Sequence, residues 1–396
     1  MFLDRQDEQR AFETLLSPAN DAWLLLYHGL NGLGKTALLE YLRASVAPDW
    51  VPMPLDLYWS THREDYDSVL RVLARPLREA GIPQRAWDAY RRREREIEDL
   101  KKVNIEMLML AKEGASIRDS KQVANVGKEL ARQYREAGSE LAYSWLDLLR
   151  HVEATPIVFL DHWDMLLDHS EKDFAVWLFE ELLTGIRRRR PGFRVVIASD
   201  RPLSADWLLN QRVNREESVT HEVMPLTPEH ARTLMEDEGL ADAAVQATIL
   251  DRVDGNPLLI KLAVDLWREQ PQLDLSGLSR ELDSRAATDW LLARICENLA
   301  DEWTKRVLQR GVVLQHFTLG ALRTVCELPD MDGDWYERFK ARPFVQRSAH
   351  QPSEHEFQRT VRTVQLGYLW QNDQLRFHQL HGKALNWYSL LQEARG

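Results

Sequence analysis

Apolar positions in the first half of the chain follow two patterns, one typical of buried strands and one typical of amphipathic helices. Short apolar runs occur at AWLLLYH, VPMPLDLYW, TPIVFLD, FRVVIAS and SVTHEVMPL, and helix-like segments with apolar residues every three or four positions lie between them. A fully apolar run such as TPIVFLD is typical of a strand buried in a parallel sheet. Strands that alternate with helices predict a doubly wound α/β domain.

Residues 84–150 interrupt this alternation with an almost continuous helical pattern. One apolar stripe runs from Ile97 to Ala111, and a second runs from Val123 to Leu148. The stretch EGAS at 113–116 separates the two stripes. We therefore predict an antiparallel helical hairpin inserted into the α/β domain.

Strand signals stop near residue 226. Helix-like segments at about 228–238, 241–253 and 257–269 predict a small all-α unit. Beyond residue 285, helical segments are followed by PFVQRS, VQLGYLW and QLRFHQL, which we interpret as short strands, and by a closing helix, GKALNWYSLLQEA. This order predicts a winged-helix domain. The predicted boundaries are 1–225 for the α/β domain with its hairpin, 226–283 for the helical subdomain and 284–396 for the winged-helix domain.

The glycine-rich turn at residues 29–36 matches the pattern GxxxxGK[ST] and lies between a predicted strand and a predicted helix. Glycines allow backbone N–H groups to approach a phosphate closely, and a helix N-terminus adds partial positive charge. Lys35 is predicted to reach the β- and γ-phosphates of ATP, and Thr36 to ligate Mg²⁺. The alternative is a turn that only joins two elements. The predicted ATP- or ADP-binding residues of this phosphate loop are Gly29, Asn31, Gly32, Leu33, Gly34, Lys35, Thr36 and Ala37.

A phosphate loop also needs a carboxylate for the metal, and the end of a buried strand is the place to expect it. Asp161 ends the run IVFLD, followed by His162 and then by Asp164, either of which could orient the attacking water. Arg201 follows the run RVVIAS and could report the presence of a γ-phosphate. The alternatives are an ordinary strand-end aspartate and a surface arginine. The predicted catalytic residues are Lys35, Asp161, His162, Asp164 and Arg201, and the predicted metal ligands are Thr36 and Asp161.

Composition limits the classes of function. The net charge of −11 argues against broad nucleic-acid binding, although a local basic patch could still bind. The only cysteines, Cys296 and Cys326, form no CxxC pair, which fits a reducing cytoplasm. No apolar segment reaches the length of a membrane span, and the first residues, MFLDRQDEQR, are too acidic for a signal peptide. We therefore expect a cytoplasmic protein without a membrane partner.

In their order along the chain, these motifs resemble those of the signal-transduction ATPases with numerous domains. This AAA+-related class includes NACHT proteins and plant disease-resistance ATPases. FLDRQDE at 2–8 resembles the opening motif of the class, DHWD at 161–164 resembles the D-G-x-D of NACHT domains, and SDRP at 199–202 resembles their T-S-R-P. GNPL at 255–258 matches the G-x-P-L motif, and HQLHGKALNW at 378–387 resembles the winged-helix motif.

The resemblance implies roles for three further residues. Arg5 would lie near the base and sugar, Pro257 would pack against the adenine, and His381 would contact the β-phosphate of ADP in a resting state. Three departures accompany it: Met165 stands where the class has a glutamate, Asp200 lies inside the sensor motif, and Gly382 replaces an aspartate. We therefore expect slow hydrolysis.

Three functions stay open at this point. The first is a nucleotide-operated switch, in prokaryotic defence or regulation, which would act with separately encoded sensor or effector proteins and could form homo-oligomers; the chain would be a bare ATPase or a fragment. The second is a DNA-binding AAA+ initiator or transcription regulator. The run Arg187–Arg190 is the strongest basic cluster, but cations also suit the end of a helix. The third is a structural partner with a degenerate ATP site.

Overall fold

The computed structural model describes residues 4–58, 65–114, 120–167, 172–271, 278, 284–348 and 353–395. The chain divides into two compact units. One, here called the sheet unit, contains Arg5–Gly29 and Lys35–Val223. The other, here called the helical unit, contains Met1–Asp4, Leu30–Gly34 and Met224–Gly396.

A five-stranded parallel sheet forms the centre of the sheet unit. Its strands are β1 (Leu24–His28), β2 (Trp50–Asp56), β3 (Thr155–Asp161), β4 (Arg194–Ser199) and β5 (Ser218–Glu222), in the spatial order β2-β3-β4-β1-β5. Residues of β1, β3 and β4 are almost all buried, as their apolar runs predict. The predicted α/β core with a parallel sheet is confirmed.

Helices fill the connections between these strands. They are α1 (Gln6–Leu16), α2 (Lys35–Ser45), α3 (Tyr66–Ala74), α4 (Gln84–Gly114), α5 (Ser120–Leu148), α6 (Asp164–Leu167), α7 (Lys172–Val176), α8 (Thr184–Arg189) and α9 (Ala205–Asn210). A π-helical segment, Trp177–Leu183, joins α7 to α8. Short 3₁₀ turns cover Arg75–Glu79, Leu149–His151 and Arg215–Glu217.

Helices α4 and α5 are the predicted hairpin, which is confirmed. Of the residues of its two stripes, Ile97, Leu141 and Trp145 are fully buried, whereas Val126 is exposed. The break at EGAS falls at the end of α4, and residues 115–119 lie outside the described part of the chain. Ile97, Leu141 and Trp145 pack into the same core as the sheet, so apolar contacts hold the part of the hairpin that contains them.

Charged side chains add a second anchor where α3 meets the hairpin. Arg71 of α3 contacts Glu94 at 2.8 Å and Glu98 at 2.6 Å, both on α4. Lys101 of α4 forms ion pairs with Asp65 and Asp67. Burial and the neighbouring Asp65 carboxyl raise the pKa of Asp67 to about 6. Opposite charges and apolar packing together fix the hairpin to the sheet unit.

The helical unit begins with the three predicted helices and continues into the winged-helix domain. Its helices are α10 (Pro228–Asp237), α11 (Ala243–Val253), α12 (Pro257–Glu269), α13 (Ser284–Asn298), α14 (Glu302–Arg310), α15 (Leu319–Cys326), α16 (Gly333–Lys340), α17 (Arg359–Asn372) and α18 (Gln374–Arg395). A 3₁₀ turn, Gly311–Val313, follows α14. Two antiparallel strands, β6 (Val345–Arg347) and β7 (His355–Phe357), form the wing. None of the helices in the described residues is both long and apolar enough to cross a membrane.

Two of the three predicted strands of the winged-helix domain are wrong. PFVQRS contains β6, but VQLGYLW lies inside α17 and QLRFHQL lies inside α18. The strand that pairs with β6 is β7, which the pattern did not predict. Val361, Val364 and Gln365 are buried, and their spacing places them on one face of a helix.

One arginine joins the helical subdomain to the winged-helix domain. The guanidinium of Arg342, which follows α16, donates to Asp265 Oδ1 at 2.8 Å and to Glu269 Oε1 at 2.6 Å, both on α12. Asp265 is 1% exposed, and burial raises the pKa of its carboxyl. A buried carboxylate needs a charged partner, so this contact ties α12 firmly to the end of α16.

Candidate phosphate-binding site

The turn between β1 and α2 has the backbone conformation expected of a phosphate loop. Gly32 and Gly34 have positive φ values of 86° and 87°, a region that residues with a side chain adopt only at a cost. Helix α2 begins at Lys35, directly after the turn. Its first N–H groups have no partner within the helix, so they can donate to an anion.

Lys35 is held by two oxygen atoms of the sheet unit. Its Nζ donates to the carbonyl oxygen of Gly29 at 2.6 Å and lies 3.1 Å from Asp200 Oδ1. Lys35 is only 9% exposed, and Asp200 follows the end of β4. The carboxylate of Asp200 therefore contacts the charge that the sequence assigns to the phosphates of a nucleotide.

We expect Asp200→Asn to strengthen ATP binding about tenfold, or roughly 1.4 kcal/mol. The carboxylate pairs with Lys35 in the structure, and it would repel phosphate oxygens bound to the same ammonium group. Asparagine keeps the shape of the side chain and removes the charge. The measurement is isothermal titration calorimetry with a non-hydrolysable ATP analogue.

Asp206→Asn is the matched control for this experiment. Asp206 is an exposed acid in the first turn of α9, so the substitution makes the same change in net charge nearby. The affinity of the Asp206→Asn variant for the ATP analogue should match that of the unaltered protein. Weaker binding by Asp200→Asn would mean that Asp200 assists the nucleotide rather than competing with it.

Two carboxylates lie together where β2 and β3 end. Asp56 and Asp161 are the last residues of these strands and are direct partners in the sheet register. Asp161 is 8% exposed, and its carboxylate is hydrogen-bonded to the side chain of Thr36. Burial raises the pKa of Asp161, the nearby Asp56 raises it further, and His162 opposes the shift. The structure therefore brings together Thr36 and Asp161, the two predicted metal ligands.

Asp56 is a neighbour of this site that our sequence analysis missed. The signal was available, because VPMPLD and IVFLD are both apolar runs that end in aspartate. Parallel strands that are adjacent in a sheet place their carboxyl ends at one edge. The pattern of one chain segment does not indicate which strands will be adjacent, so the pairing required the structure.

His162 faces Asp56. Its ring Nδ1 lies 2.6 Å from Asp56 Oδ1, and its backbone N–H donates to Asp161 Oδ1 at 2.8 Å. His162 has a φ of 58°, in the left-handed region that non-glycine residues seldom occupy. Such a backbone persists only when surrounding contacts hold it, and these two hydrogen bonds are such contacts. The role of His162 in orienting water stays a prediction.

The structure shows contacts that involve backbone N–H groups for Asp164 and Arg201, the two remaining residues that we predicted to be catalytic. Asp164 is buried at the start of α6, and its Oδ1 accepts from the backbone N–H of Asp200 at 3.3 Å. It thus supports the residue that pairs with Lys35. Arg201 is exposed, and its backbone N–H contacts Ser199 Oγ at 3.5 Å. The catalytic assignments of both residues stay predictions.

The residues assigned by resemblance lie in different parts of the fold. In the sheet unit, Arg5 precedes α1, is 4% exposed and lies 3.6 Å from Glu8 Oε1. In the helical unit, Pro257 is the first residue of α12. Their nucleotide contacts stay predictions.

The position expected for His381 is wrong. We predicted it at a junction between a strand and a helix, but it lies within α18, seven residues after the helix begins at Gln374. Its Nδ1 lies 2.9 Å from the carbonyl oxygen of Phe377, and the two rings are 4.1 Å apart. QLRFHQL and GKALNWYSLLQEA, which we predicted as a strand and a helix on either side of His381, form one continuous helix, so no helix begins at this position.

The middle of the phosphate loop makes its contacts within the helical unit. Leu33 is buried, while Ala37, one turn into α2, is exposed. The carbonyl oxygen of Asn31 accepts from Nδ2 of Asn256 at 2.9 Å, and that of Gly32 accepts from the N–H of Leu258 at 3.3 Å. Asn256 is the second residue that sequence analysis missed as a neighbour of the loop.

The residues present suit a nucleotide phosphate and Mg²⁺. A hydroxyl and a carboxylate oxygen are ligands that Mg²⁺ prefers, and they meet in the Thr36–Asp161 hydrogen bond. Among the described residues, no group of three or more His, Cys, Asp or Glu side chains is arranged to hold a metal ion. Mg²⁺ commonly keeps waters and phosphate oxygens as its remaining ligands, so two protein ligands are enough.

Comparison with known proteins gives fold-level similarities alone. No protein-family model matches the chain, and no curated protein matches it. Among solved structures, a Walker-type ATPase of Pyrococcus abyssi is 14% identical, with 92% of this chain and 96% of that chain covered and a TM-score of 0.36. The ORC2 protein of Aeropyrum pernix, in ADPNP–ADP complexes, is 11% identical, with 93% and 95% covered and a TM-score of 0.41.

The ORC1 protein of Aeropyrum pernix, in a structure with DNA, is 19% identical, with 93% of this chain and 83% of that chain covered and a TM-score of 0.39. At these identities and TM-scores, the similarity does not indicate the activity or the ligands of this chain.

Proposed function

We propose that the chain is an ATP- and ADP-binding P-loop ATPase that works as a slow nucleotide-operated switch in the cytoplasm. The observation that carries the proposal is the arrangement of Lys35, Thr36 and Asp161. A lysine follows a turn with positive φ values, and the next hydroxyl is hydrogen-bonded to a strand-end carboxylate. A turn that only joins a strand to a helix would need neither the buried lysine nor this carboxylate.

Each residue has a defined task in this proposal. The N–H groups at the start of α2 and the ammonium of Lys35 would bind phosphate oxygens. Thr36 and Asp161 would hold Mg²⁺, which supplies charge stabilisation when bound. His162 would orient the attacking water, with Asp56 fixing the direction of its ring. Met165 stands where the class that the motifs resemble has a glutamate, and the absence of that carboxylate supports slow rather than rapid turnover.

Separately encoded proteins are the partners that we propose for the switch, with a homo-oligomer as a further possibility, as in the signal-transduction ATPases that the motifs resemble. The helical subdomain and the winged-helix domain belong to one compact unit, in which Arg342 contacts α12, so we propose that they act together in the switch. A ligand shifts such an equilibrium only by its difference in affinity for the two states. ATP and ADP must therefore differ in affinity between the conformations of the protein.

DNA binding, as by an AAA+ initiator, is the second candidate function. The observation that favours it is the winged-helix domain, whose helices α14, α15 and α16 precede a two-stranded wing. Charge on α16 argues the other way. The acids Asp334 and Glu337 balance the bases Arg338 and Lys340 on this helix, and Lys340 is 2.6 Å from Glu337. The helix therefore has no net positive charge to attract DNA.

Part of the positive charge of the basic run at Arg187–Arg190 is used in contacts within the protein. It lies at the end of α8, where cations suit the helix dipole. The guanidinium of Arg190 donates to the carbonyl oxygens of Glu153 and Ala154 at 2.9 Å each. One of the four arginines is therefore engaged with the backbone that leads into β3.

Three measurements on the same preparation separate the candidates. We expect Mg²⁺-dependent ATP turnover, a particle mass or conformation that differs between ADP and a non-hydrolysable ATP analogue, and only weak binding to duplex DNA. Size-exclusion chromatography with light scattering reports the mass, small-angle X-ray scattering reports the conformation, and fluorescence anisotropy at two salt concentrations reports DNA binding.

The contrary outcomes identify the alternatives. Nucleotide-dependent DNA binding that persists at physiological salt would favour the initiator. Nucleotide binding without turnover or any change of state would favour a structural partner with a degenerate site. Absence of nucleotide binding would remove the P-loop assignment itself.

A further inference from the structure

The side chain of Asn256 forms hydrogen bonds in two directions within the helical unit. Its Oδ1 accepts from the N–H groups of Leu258 at 3.1 Å and Leu259 at 3.3 Å, which caps the start of α12. Its Nδ2 donates to the carbonyl oxygen of Asn31, in the phosphate loop, at 2.9 Å. One amide group therefore connects the first turn of α12 to the middle of the loop.

The two contacts require an asparagine. Aspartate and serine are good helix caps, but an ionised aspartate has no proton to donate, and serine is too short to reach in both directions. The carbonyl oxygen of Val253, the last residue of α11, holds the backbone of Asn256 in place, since it accepts from the N–H of Asn256 at 3.0 Å. At 5% exposure the amide has little access to water that could replace a lost partner.

The loop and the helix start also fit closely in shape. A Cβ atom placed on Gly32 would lie 2.6 Å from Asn256 Oδ1 and 3.0 Å from the Cβ of Leu258. The N–H of Leu258 points to the carbonyl oxygen of Gly32 at 3.3 Å as well as to Asn256. Contacts with the start of α12 therefore help to fix the backbone conformation of the loop at Asn31 and Gly32. The glycines of the loop itself contribute as well.

We propose that Asn256 is a positioning residue for the phosphate loop, which holds the loop in the shape that receives phosphate and couples that shape to α12. The coupling part rests on the proposed nucleotide binding. In the structure the carbonyl oxygen of Asn31 accepts from Asn256, and this hydrogen bond would keep the carbonyl in its present orientation. A nucleotide that uses the loop N–H groups would then bind to a loop that is already ordered.

Helix α12 extends this link. It contains 13 residues, a length of about 20 Å, and its other end carries Asp265 and Glu269, which bind Arg342. A displacement of the loop that reaches Asn256 would therefore be passed along one helix to the winged-helix domain. The residues that carry this path all belong to the helical unit.

Asn256→Ser tests the proposal, because serine still caps a helix but lacks the donor to Asn31. Without nucleotide, hydrogen exchange followed by mass spectrometry should show about tenfold faster exchange in peptides that cover residues 30–34. With nucleotide, calorimetry should show about tenfold weaker binding of both ADP and a non-hydrolysable ATP analogue. Asn256→Asp, which keeps the size of the side chain, should also speed the exchange.

Asp242→Ser is the matched control. Asp242 caps α11 in the same unit through the N–H groups of Ala244 and Val245, and it is exposed. This variant keeps a helix cap, as Asn256→Ser does, and it should leave both loop exchange and nucleotide affinity unchanged. A decrease in affinity equal to that of Asn256→Ser would reduce Asn256 to a structural cap.

The outcomes separate this proposal from the proposed function. Unchanged exchange of residues 30–34 in both Asn256 variants would overturn it, whatever the protein binds. Faster exchange with unchanged nucleotide affinity would overturn the coupling to nucleotide. If the unaltered protein bound no nucleotide, the proposed function would fail, and the exchange experiment would still decide whether Asn256 orders the loop.

Discussion

Lys35→Ala is expected to weaken ATP and ADP binding by roughly 30- to 1,000-fold, or about 2–4 kcal/mol. The substitution removes the ammonium group that would pair with the phosphates and leaves the loop backbone in place. Lys35 also pairs with Asp200, whose side chain is 24% exposed, so water can solvate the carboxylate that remains. The measurement is calorimetry with each nucleotide in the presence of Mg²⁺, with circular dichroism as a check on folding.

Arg43→Ala provides the matched control, since Arg43 lies in the last turn of the same helix. It removes a positive charge from α2 at the end away from the phosphate loop, and its affinity should be unchanged. The double variant Lys35→Ala, Asp200→Asn adds a sharper test. If Asp200 competes with the phosphates for Lys35, the gain from Asp200→Asn should disappear when Lys35 is absent, whereas direct repulsion of the phosphates by Asp200 would leave the gain in place. Equal affinity in Lys35→Ala and the unaltered protein would exclude the loop as a phosphate site.

Asp161→Ala is expected to lower Mg²⁺-stimulated ATP turnover by about 100-fold or more. The carboxylate is the strand-end ligand that we assign to the metal, and a lost ligand removes several kcal/mol of charge stabilisation from the transition state. Nucleotide binding without metal should change little, because the loop and Lys35 remain. Phosphate release at saturating ATP, over a series of Mg²⁺ concentrations, measures the effect.

Glu222→Ala serves as the control for this variant. Glu222 is an exposed carboxylate at the same end of another strand of the sheet, β5, so it matches the position along a strand without the contact to Thr36. Its turnover and Mg²⁺ dependence should equal those of the unaltered protein. Turnover in Asp161→Ala that stays within a factor of two of normal would require a different metal ligand.

The sheet could be predicted from sequence because β1, β3 and β4 are almost fully buried and the strands stand between helices with a clear period. The inner runs of TPIVFLD and FRVVIAS, PIVFL and VVIA, contain no polar residue to confuse their assignment. Both segments are strands with the predicted boundaries to within one residue. The phosphate loop was equally visible, since its spacing alone positions Lys35 at the helix start. Local pattern was enough in these cases.

Contacts that depend on distant parts of the chain were not predictable in the same way. Asp56 meets His162 across 106 residues of sequence, and Asn256 meets Asn31 across 225. No local period records which elements become neighbours. The strand predictions for VQLGYLW and QLRFHQL were wrong for a related reason. Valine, tyrosine, tryptophan and phenylalanine favour strands locally. The packing of Val361 and Val364 nevertheless places the first segment in a helix.

The spatial order of the sheet has a consequence for how the protein is made. Strand β1 lies between β4 and β5, but it leaves the ribosome first, and β4 begins only at Arg194. At typical synthesis rates of about 5–20 residues per second, β1 waits on the order of ten seconds for either neighbour. During that interval its apolar residues Leu24, Leu25 and Leu26 have no strand to pair with. A nascent chain that exposes apolar residues for this time is prone to aggregate, and truncation before residue 194 is expected to give insoluble protein.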